Sequence, residues 1–140
     1  MPDPTPSHVA ATSPAPPADA EVHFARKLAF ETDCWDVNAS LQDGAVDFVV
    51  LDVRGPSAYA KGHVPGAVSL PRREITAERM MAWPHATLFV VYCAGPHCNG
   101  ADKAALALSR LGRPVKLMIG GMTGWADEGF SLATGEAVAA

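Results

Sequence analysis

The sequence predicts a small three-layer α/β fold, in which a central parallel sheet of four or five strands is flanked by helices. The first observation is a set of short runs rich in apolar residues, at 47–51, 88–92 and 115–119. Such runs are typical of strands that are covered on both faces. The second is that segments with apolar residues at helical spacing separate these runs. This alternation favours parallel strands joined by crossover helices.

The first 19 residues contain six of the twelve prolines, mixed with Ser, Thr and Ala. Because such a composition cannot bury a core, we predict a disordered, Pro-rich tail over 1–19. The tail lacks the positively charged start and the apolar stretch of a secretory signal. We therefore expect a cytoplasmic protein whose three cysteines are reduced.

Residues 20–43 are expected to form two helices that pack on the domain. The first, over 20–32, places four apolar residues on one face: Val22, Ala25, Leu28 and Ala29. The second runs from Asp33 or Cys34 to Gln42. No neighbouring turn or basic residue activates Cys34, so we predict that this thiol is structural.

The run at 47–51 is the first predicted strand, and Asp52 and Arg54 follow at its carboxyl end. Buried charges are costly unless they are paired. We therefore interpret these two side chains as a structural pair near the site, with contact to a substrate as the alternative.

Shorter elements are predicted next: a helix that opens at Pro56, a turn at 62–66 and a strand at 67–70. His63, in the turn, is interpreted as a residue hydrogen-bonded to backbone rather than as a catalytic base. A further helix is predicted at 74–83.

A buried strand at 88–92 leads into Cys93, and an alanine-rich helix starts near Asn99, with Gly112 and Pro114 as its stop signals. Ligand sites of open α/β sheets lie beyond the carboxyl ends of the strands. Chemistry is therefore expected at Cys93.

The composition of this loop indicates an anion site. Gly95 and Pro96 force a sharp turn just before a helix, which leaves several backbone amides able to point inward: those of Ala94, Gly95, His97, Cys98 and Asn99. No Asp or Glu lies between Glu78 and Asp102. Thiols at helix N-termini have pKa values of roughly 3.5 to 7.5, so we predict a lowered pKa and a nucleophilic role for Cys93.

The last strand is predicted at 115–119, followed by a turn at Gly120 and Gly121 and a short helix around Trp125. Small residues without a clear pattern follow, and we expect the segment 133–140 to be frayed.

Length and composition limit the classes of function. A chain of 140 residues suits one domain, and 49% hydrophobic with 19% charged residues is typical of a globular protein. No apolar run approaches the roughly 18 residues of a membrane helix. The net charge of −4 disfavours nucleic acid and anionic membranes. We therefore expect no nucleic-acid partner and no membrane partner.

Three segments together resemble a known family. Residues 50–54 with Tyr59 and 62–67, then 93–99, then 120–125 are similar to the signatures of single-domain rhodanese-like sulfurtransferases, in the expected order. The resemblance covers about 44–132, which we take as the rhodanese-like domain. The loop is closest to a Cys-x-Gly-Pro-x-Cys-Asn variety.

The resemblance implies that Cys93 takes a sulfane sulfur from thiosulfate or from a persulfide or polysulfide, and passes it to a thiol or cyanide. The partners it implies are therefore a small sulfur-containing anion as substrate and a thiol acceptor. Backbone amides of the loop would hold the persulfide and the substrate: Ala94, Gly95, Pro96, His97, Cys98 and Asn99 form this loop, and Pro96 has no amide to donate. The family needs no metal and no organic cofactor.

Two departures from the family pattern limit the expectation. Many active members carry Arg or Lys in the loop, whereas this loop offers only His97, so a persulfide or polysulfide is favoured over thiosulfate as donor. Cys98 is either a resolving thiol that forms a disulfide with Cys93 or a small residue at the helix start.

Three rival functions would use the same residues. A phosphatase of this fold needs Arg where Asn99 stands, which disfavours that activity. A zinc site built from Cys93, His97 and Cys98 lacks a suitably spaced fourth ligand. The remaining alternative is a redox-sensing or partner-binding rhodanese-like module that uses a Cys93–Cys98 dithiol.

Overall fold

The computed structural model describes residues 4–137. Its strands are β1 (Glu31–Asp33), β2 (Val49–Asp52), β3 (Val68–Ser69), β4 (Phe89–Tyr92) and β5 (Val115–Ile119). They form one sheet in the spatial order β1-β5-β4-β2-β3, and every neighbouring pair is parallel. The predicted α/β fold with a central parallel sheet is confirmed.

The helices are α1 (Pro17–Phe30), α2 (Cys34–Asp43), α3 (Pro56–Lys61), α4 (Ala77–Met80), α5 (Gly100–Arg110) and α6 (Gly121–Asp127). Local sequence signals explain several of their ends. The Asp33 side chain accepts a hydrogen bond from the Asp36 amide at 2.8 Å and caps α2. Gly44 ends that helix in the left-handed conformation, with φ of 73°.

Two hydrophobic clusters cover the two faces of the sheet. One cluster contains residues of α4 and α5, including Met80 and Leu108, packed against the Leu51 face. The other contains residues of α2, α3 and α6, with Trp125 fully buried. Helices therefore cover both faces, as the continuous apolar strands require.

The central strand β4 contributes to both clusters in alternation. Phe89, Val91 and the following Cys93 belong to the α5 side, whereas Val90 and Tyr92 belong to the opposite side. Successive side chains of a strand point to opposite faces. The neighbours Tyr92 and Cys93 therefore extend into two different environments at the same end of β4.

The N-terminal part differs from its prediction. Strand β1 lies within 20–43, where only helices were expected, and Glu31 pairs in register with Leu117. Helix α1 starts at Pro17, inside the predicted tail, and buries none of its residues. Its predicted packing face is wrong, since Leu28 is 71% exposed. The second helix does pack, through Cys34 and Val37.

The helix predicted at 74–83 is broken into a 3-10 turn (Arg72–Glu74) and the single helical turn of α4. Thr76 sets the start of α4, because its Oγ1 accepts a hydrogen bond from the Arg79 amide at 3.1 Å, and a distant residue sets its end. The buried Arg113 donates hydrogen bonds to the carbonyl groups of Met80, Trp83 and Pro84 at 2.8 to 3.1 Å. These carbonyls are thus satisfied without a longer helix.

The segment predicted to fray, 133–140, begins with an ordered contact. Ala133 pairs with His63 through two backbone hydrogen bonds of 2.9 Å. Residues 138–140, like residues 1–3 of the predicted tail, lie outside the described part of the chain.

Candidate active site

The loop 93–99 connects β4 to α5 and is fixed by the start of α6. The Cys93 carbonyl accepts a hydrogen bond from the Met122 amide at 3.0 Å. The Ala94 carbonyl accepts two, from the amide of Thr123 at 2.9 Å and from its Oγ1 at 3.0 Å. The loop is therefore held by main-chain contacts rather than by its own side chains, and Cys93 is placed beyond the carboxyl end of the central strand.

Gly121 makes this close approach possible. Its φ is 57°, and a Cβ there would lie 2.6 Å from the Cys93 carbonyl oxygen and 2.9 Å from the Gly95 nitrogen. Both of these neighbours are backbone atoms that cannot rotate away. The loop and the α6 start can therefore pack at this distance only with glycine at this position.

The two loop thiols lie against each other. Cys93 Sγ and Cys98 Sγ are 2.8 Å apart, and the Gly100 amide donates to Cys98 Sγ at 3.4 Å. Cys93 is buried, with 9% of its surface exposed, whereas Cys98 is half-buried. A Cβ at residue 100 would lie 2.8 Å from Cys93 Sγ and 3.4 Å from Cys98 Sγ. The first residue of α5 thus lacks a side chain where the two sulfur atoms meet.

The prediction of a lowered pKa for Cys93 is wrong. Burial raises the pKa of Cys93, and its hydrogen bond to Cys98 raises it further, although the Ala94 amide acts in the opposite direction. The pKa of Cys98 is lowered, because it accepts hydrogen bonds from Cys93 and from the Gly100 amide. When this pair loses its first proton, the negative charge is therefore favoured on Cys98 rather than on Cys93.

A cavity of about 230 Å³ opens over both thiols. Its lining comes from the loop, the start of α5, the end of β5 and Glu31 of β1. A second, outer groove is lined by loop residues together with Asp102. Cys98 lines both spaces, and Cys93 lines only the inner cavity. A larger depression, of about 710 Å³, lies along α1 and has no thiol in its lining.

Two carboxylates also line the inner cavity, Glu31 and Asp102. The sequence suggested a loop without nearby acid, and the fold overturns this interpretation. Glu31 arrives through the pairing of β1 with β5, and it forms an exposed ion pair with Lys27 at 2.7 Å. Asp102 lies in the first turn of α5. An anionic substrate therefore meets negative charge at this cavity.

The other predicted loop residues are placed as follows. Gly95 is buried, and a Cβ on it would lie 2.6 Å from Thr123 Oγ1. His97 and Pro96 are exposed. Asn99 occupies the N-cap position of α5, as predicted, but its side chain makes no capping hydrogen bond.

Asp52 and Arg54 form the predicted pair. Asp52 is fully buried, and Arg54 contacts it through Nε at 3.0 Å and Nη2 at 2.7 Å. Two further contacts were not foreseen: the Tyr92 hydroxyl donates to Asp52 Oδ2 at 2.6 Å, and Arg54 Nη2 donates to the Gly62 carbonyl at 2.7 Å. Burial, followed by the charge of Asp52, raises the pKa of Tyr92 above its ordinary value. We call Asp52, Arg54 and Tyr92 the carboxylate cluster.

His63 and Cys34 have the contacts expected of structural residues. His63 Nδ1 lies 2.8 Å from the Tyr59 carbonyl oxygen, and the two rings stack at 3.6 Å. Cys34 is buried beneath the β5–α6 turn, with its Sγ 3.6 Å from the Gly121 carbonyl oxygen. Burial, then the charges of Asp33 and Glu128, raises the pKa of Cys34 to about 11.

Within residues 4–137, no cluster of three or more His, Cys, Asp or Glu side chains is arranged to hold a metal ion. In the same range, none of the helices combines the length and the apolar character that crossing a membrane requires.

Comparison with known proteins identifies similar chains. The sequence model of the rhodanese-like domain family matches residues 35–128 of this chain. A sulfurtransferase of Allochromatium vinosum is 30% identical over 106 residues, which cover 76% of this chain and 96% of that protein. An HTH-type transcriptional regulator of Mycobacterium tuberculosis is 33% identical over 94 residues, or 67% of this chain. This chain spans 41% of the regulator's length.

Among solved structures, a crystal structure of a Bacillus halodurans protein superposes with a TM-score of 0.82 at 35% identity. The match covers 85% of this chain and 87% of that one.

Proposed function

The chain belongs to the rhodanese-like domain family, and we propose that it is a sulfurtransferase in which Cys93 carries a sulfane sulfur as a persulfide. One observation supports this assignment above the others. The Cys93 thiol lines a 230 Å³ cavity at the carboxyl end of the central strand, and Cys98, whose thiolate is favoured, lies 2.8 Å away. The A. vinosum sulfurtransferase, which this chain matches over nearly its full length, supports the same activity.

Because its pKa is raised, Cys93 needs a base to remove its proton before it can attack, and we assign this role to Cys98. As Cys93 Sγ attacks the outer sulfur of the donor, its proton moves to the Cys98 thiolate across the 2.8 Å contact. The donor's sulfur–sulfur bond breaks, and the remainder of the donor leaves with the electron pair. The product is a Cys93 persulfide anion beside a neutral Cys98 thiol.

The second displacement regenerates the enzyme. An acceptor thiolate or cyanide attacks the terminal sulfur, and Cys93 leaves as a thiolate that recovers its proton from Cys98. The backbone amides at the start of α5 carry partial positive charge. This charge stabilises the negatively charged persulfide between the two steps. These amides and the two thiols carry the chemistry, and the mechanism uses neither a metal nor an organic cofactor.

The charges around the cavity select the donor. Thiosulfate carries two negative charges, and the inner cavity presents Glu31 and Asp102 with no Arg, Lys or His in its lining. A persulfide carries a single charge on its sulfur atoms, and a polysulfide spreads its charge over a longer chain than the compact thiosulfate ion does. We therefore expect such a species to be the preferred donor.

The test is the intact mass of the reduced protein after brief exposure to a polysulfide and, separately, to thiosulfate. We expect one added sulfur atom in the protein with Cys98→Ser, loaded at a pH high enough to ionise Cys93 without the neighbouring base, and none with Cys93→Ser. Cys34→Ala is the matched control, because it removes the third thiol and leaves the loop pair in place. A sulfur adduct that survives Cys93→Ser would assign the persulfide to another residue and contradict the proposal.

A redox-sensing module is the second candidate, and the 2.8 Å contact between the thiols favours it. The similarity to a transcriptional regulator is compatible with a sensing role for this domain. If the protein is such a module, we expect it to take up no sulfur from any donor. Oxidation should then remove two hydrogens only when Cys93 and Cys98 are both present.

A further inference from the structure

We propose that Cys98 attacks the Cys93 persulfide and displaces its outer sulfur as hydrosulfide, with formation of a Cys93–Cys98 disulfide. The proposal rests on the proposed function, because it begins from the persulfide. It adds a second outcome for the bound sulfur: besides transfer to an acceptor, the sulfur is reduced and released. The loop is then a persulfide-to-hydrosulfide converter that a dithiol reductant resets.

The first step of the argument is distance. Cys93 Sγ and Cys98 Sγ are 2.8 Å apart, and a disulfide bond is about 2.04 Å long. The two sulfur atoms therefore need to approach by less than about 1 Å to become bonded. Glycine at residue 100 leaves room for this pair, since a Cβ there would lie only 2.8 Å from Cys93 Sγ and would displace it.

The second step is which sulfur Cys98 reaches. The outer sulfur of a Cys93 persulfide finds no room between two Sγ atoms that are already in contact at 2.8 Å. It must extend elsewhere from Cys93, into the 230 Å³ cavity. Cys98 Sγ then stays in contact with the inner sulfur at Cys93. This is the arrangement for displacement at Cys93 Sγ rather than for passage of the outer sulfur to Cys98.

The step balances in atoms and electrons. Cys98 Sγ forms a bond to Cys93 Sγ, and the bond from Cys93 Sγ to the outer sulfur breaks. The electron pair of that bond leaves with the outer sulfur, which takes the Cys98 proton and departs as hydrosulfide. The sulfane sulfur is reduced by two electrons, and the two cysteines are oxidised to a disulfide.

The third step is the reset. An external dithiol must attack one sulfur of the disulfide, and the two differ in access. Cys93 is buried, whereas Cys98 is half-buried and also lines the outer groove. A dithiol reductant therefore attacks Cys98 Sγ and releases Cys93 first. A second attack within the reductant restores both thiols.

The experiment loads the reduced full chain with one equivalent of polysulfide, removes the excess rapidly without air, and follows intact mass and hydrosulfide over time. In the unmodified protein we expect the sulfur adduct to decay, with one hydrosulfide released per chain and a final mass lower by two hydrogens. Dithiothreitol then restores the reduced mass. With Cys98→Ser the adduct should persist, and release should slow by roughly a hundredfold or more, because the neighbouring thiol is lost.

The outcomes separate the two proposals. An adduct that persists equally in the unmodified protein and in Cys98→Ser overturns the converter, while the Cys93 persulfide stands. An adduct that peptide mapping places on Cys98 also overturns it, in favour of a relay between the thiols. Absence of an adduct in Cys98→Ser, even at a pH high enough to ionise Cys93 without the neighbouring base, contradicts the persulfide itself, and the converter falls with it.

Two controls check the geometry and the third thiol. Diamide, which oxidises neighbouring thiols without supplying sulfur, should join Cys93 to Cys98 with no hydrosulfide released. A protein that diamide cannot oxidise in this way would contradict the distance argument. Cys34→Ala should release hydrosulfide as the unmodified chain does, because Cys34 lines neither the inner cavity nor the outer groove.

Discussion

Two neighbouring residues at the end of β4, Tyr92 and Cys93, enter clusters of opposite character. Tyr92 joins the carboxylate cluster, where its hydroxyl donates to Asp52 at 2.6 Å. Cys93 joins Cys98 in the thiol pair, where the hydrogen bonds involve sulfur and the contact faces a cavity. The two clusters lie on opposite faces of the same sheet edge.

The difference shows how one strand end serves both stability and reactivity. The carboxylate cluster is closed: Asp52 is fully buried, and among residues 4–137 no buried side-chain nitrogen or oxygen lacks a hydrogen-bond partner. Charge-assisted bonds of this kind fix a unique arrangement. The sulfur atoms of the thiol pair have weaker polar contacts, with each other and with the Gly100 amide. The first cluster holds the edge of the sheet, and the second remains free to react.

The largest effect should come from breaking the carboxylate cluster. Asp52→Ala leaves the partly buried Arg54 without its partner and removes the acceptor of Tyr92. We expect the free energy of unfolding to fall by about 3–5 kcal/mol, measured by urea denaturation. Asp47→Ala, at an exposed carboxylate, is the control and should change it by about 0.5 kcal/mol or less. Equal losses in the two variants would show that Asp52 does not hold this edge.

The second effect should fall on the thiol side. Gly121→Ala places a Cβ 2.6 Å from the Cys93 carbonyl oxygen, so the loop must move. We expect sulfur transfer to fall by roughly tenfold or more, because small displacements of reacting groups are costly. Gly129→Ala is a matched control: its φ is 73°, and a Cβ there has no neighbour within 4 Å.

Both variants carry the cost of a left-handed alanine, about 1–2 kcal/mol of stability. Only Gly121→Ala displaces the loop. Similar activity in the two variants, compared at equal folded fraction, would indicate that the contact between α6 and the loop does not position Cys93.

What the sequence could predict was local. Cys93 after a buried strand, the pairing of Asp52 with Arg54 and the stop at Gly112 all follow from residues a few positions apart. Gly112, for example, has the left-handed φ of 75° that a helix stop requires.

What the sequence could not predict depends on distant packing. Glu31 reaches the cavity only because the three residues of β1 pair with β5. Strand β1 is too short for its sequence to show the alternation of a strand. The pKa of Cys93 depends on burial and on the exact position of Cys98, neither of which is encoded in the loop's composition. Gly121 looked like a turn residue, and its contact with the loop backbone appears only once α6 is in place.

A smaller effect should follow from the charge at the cavity. Glu31→Gln removes one of its two carboxylates and leaves Lys27 without its ion-pair partner. We expect kcat/KM for thiosulfate to rise by roughly fivefold or less, since exposed charges interact by about 1 kcal/mol. An uncharged organic trisulfide is the control donor, and its kcat/KM should not change. An equal rise for both donors would point to a change in shape rather than charge.

The smallest effect should be a shift in the pH dependence of the two thiols. Burial and the hydrogen bond to Cys98 together raise the pKa of Cys93, and the hydrogen bond from Cys93 lowers that of Cys98. Cys98→Ala removes the hydrogen bond and the charge of Cys98, which both raise the pKa of Cys93, so alkylation of Cys93 by iodoacetamide should reach half its maximal rate at a lower pH. In Cys93→Ala, the pKa of Cys98 should rise, so its profile should move to higher pH. Shifts in the same direction, or none, would mean that the thiols titrate independently, and Cys98 could not then act as the base for Cys93.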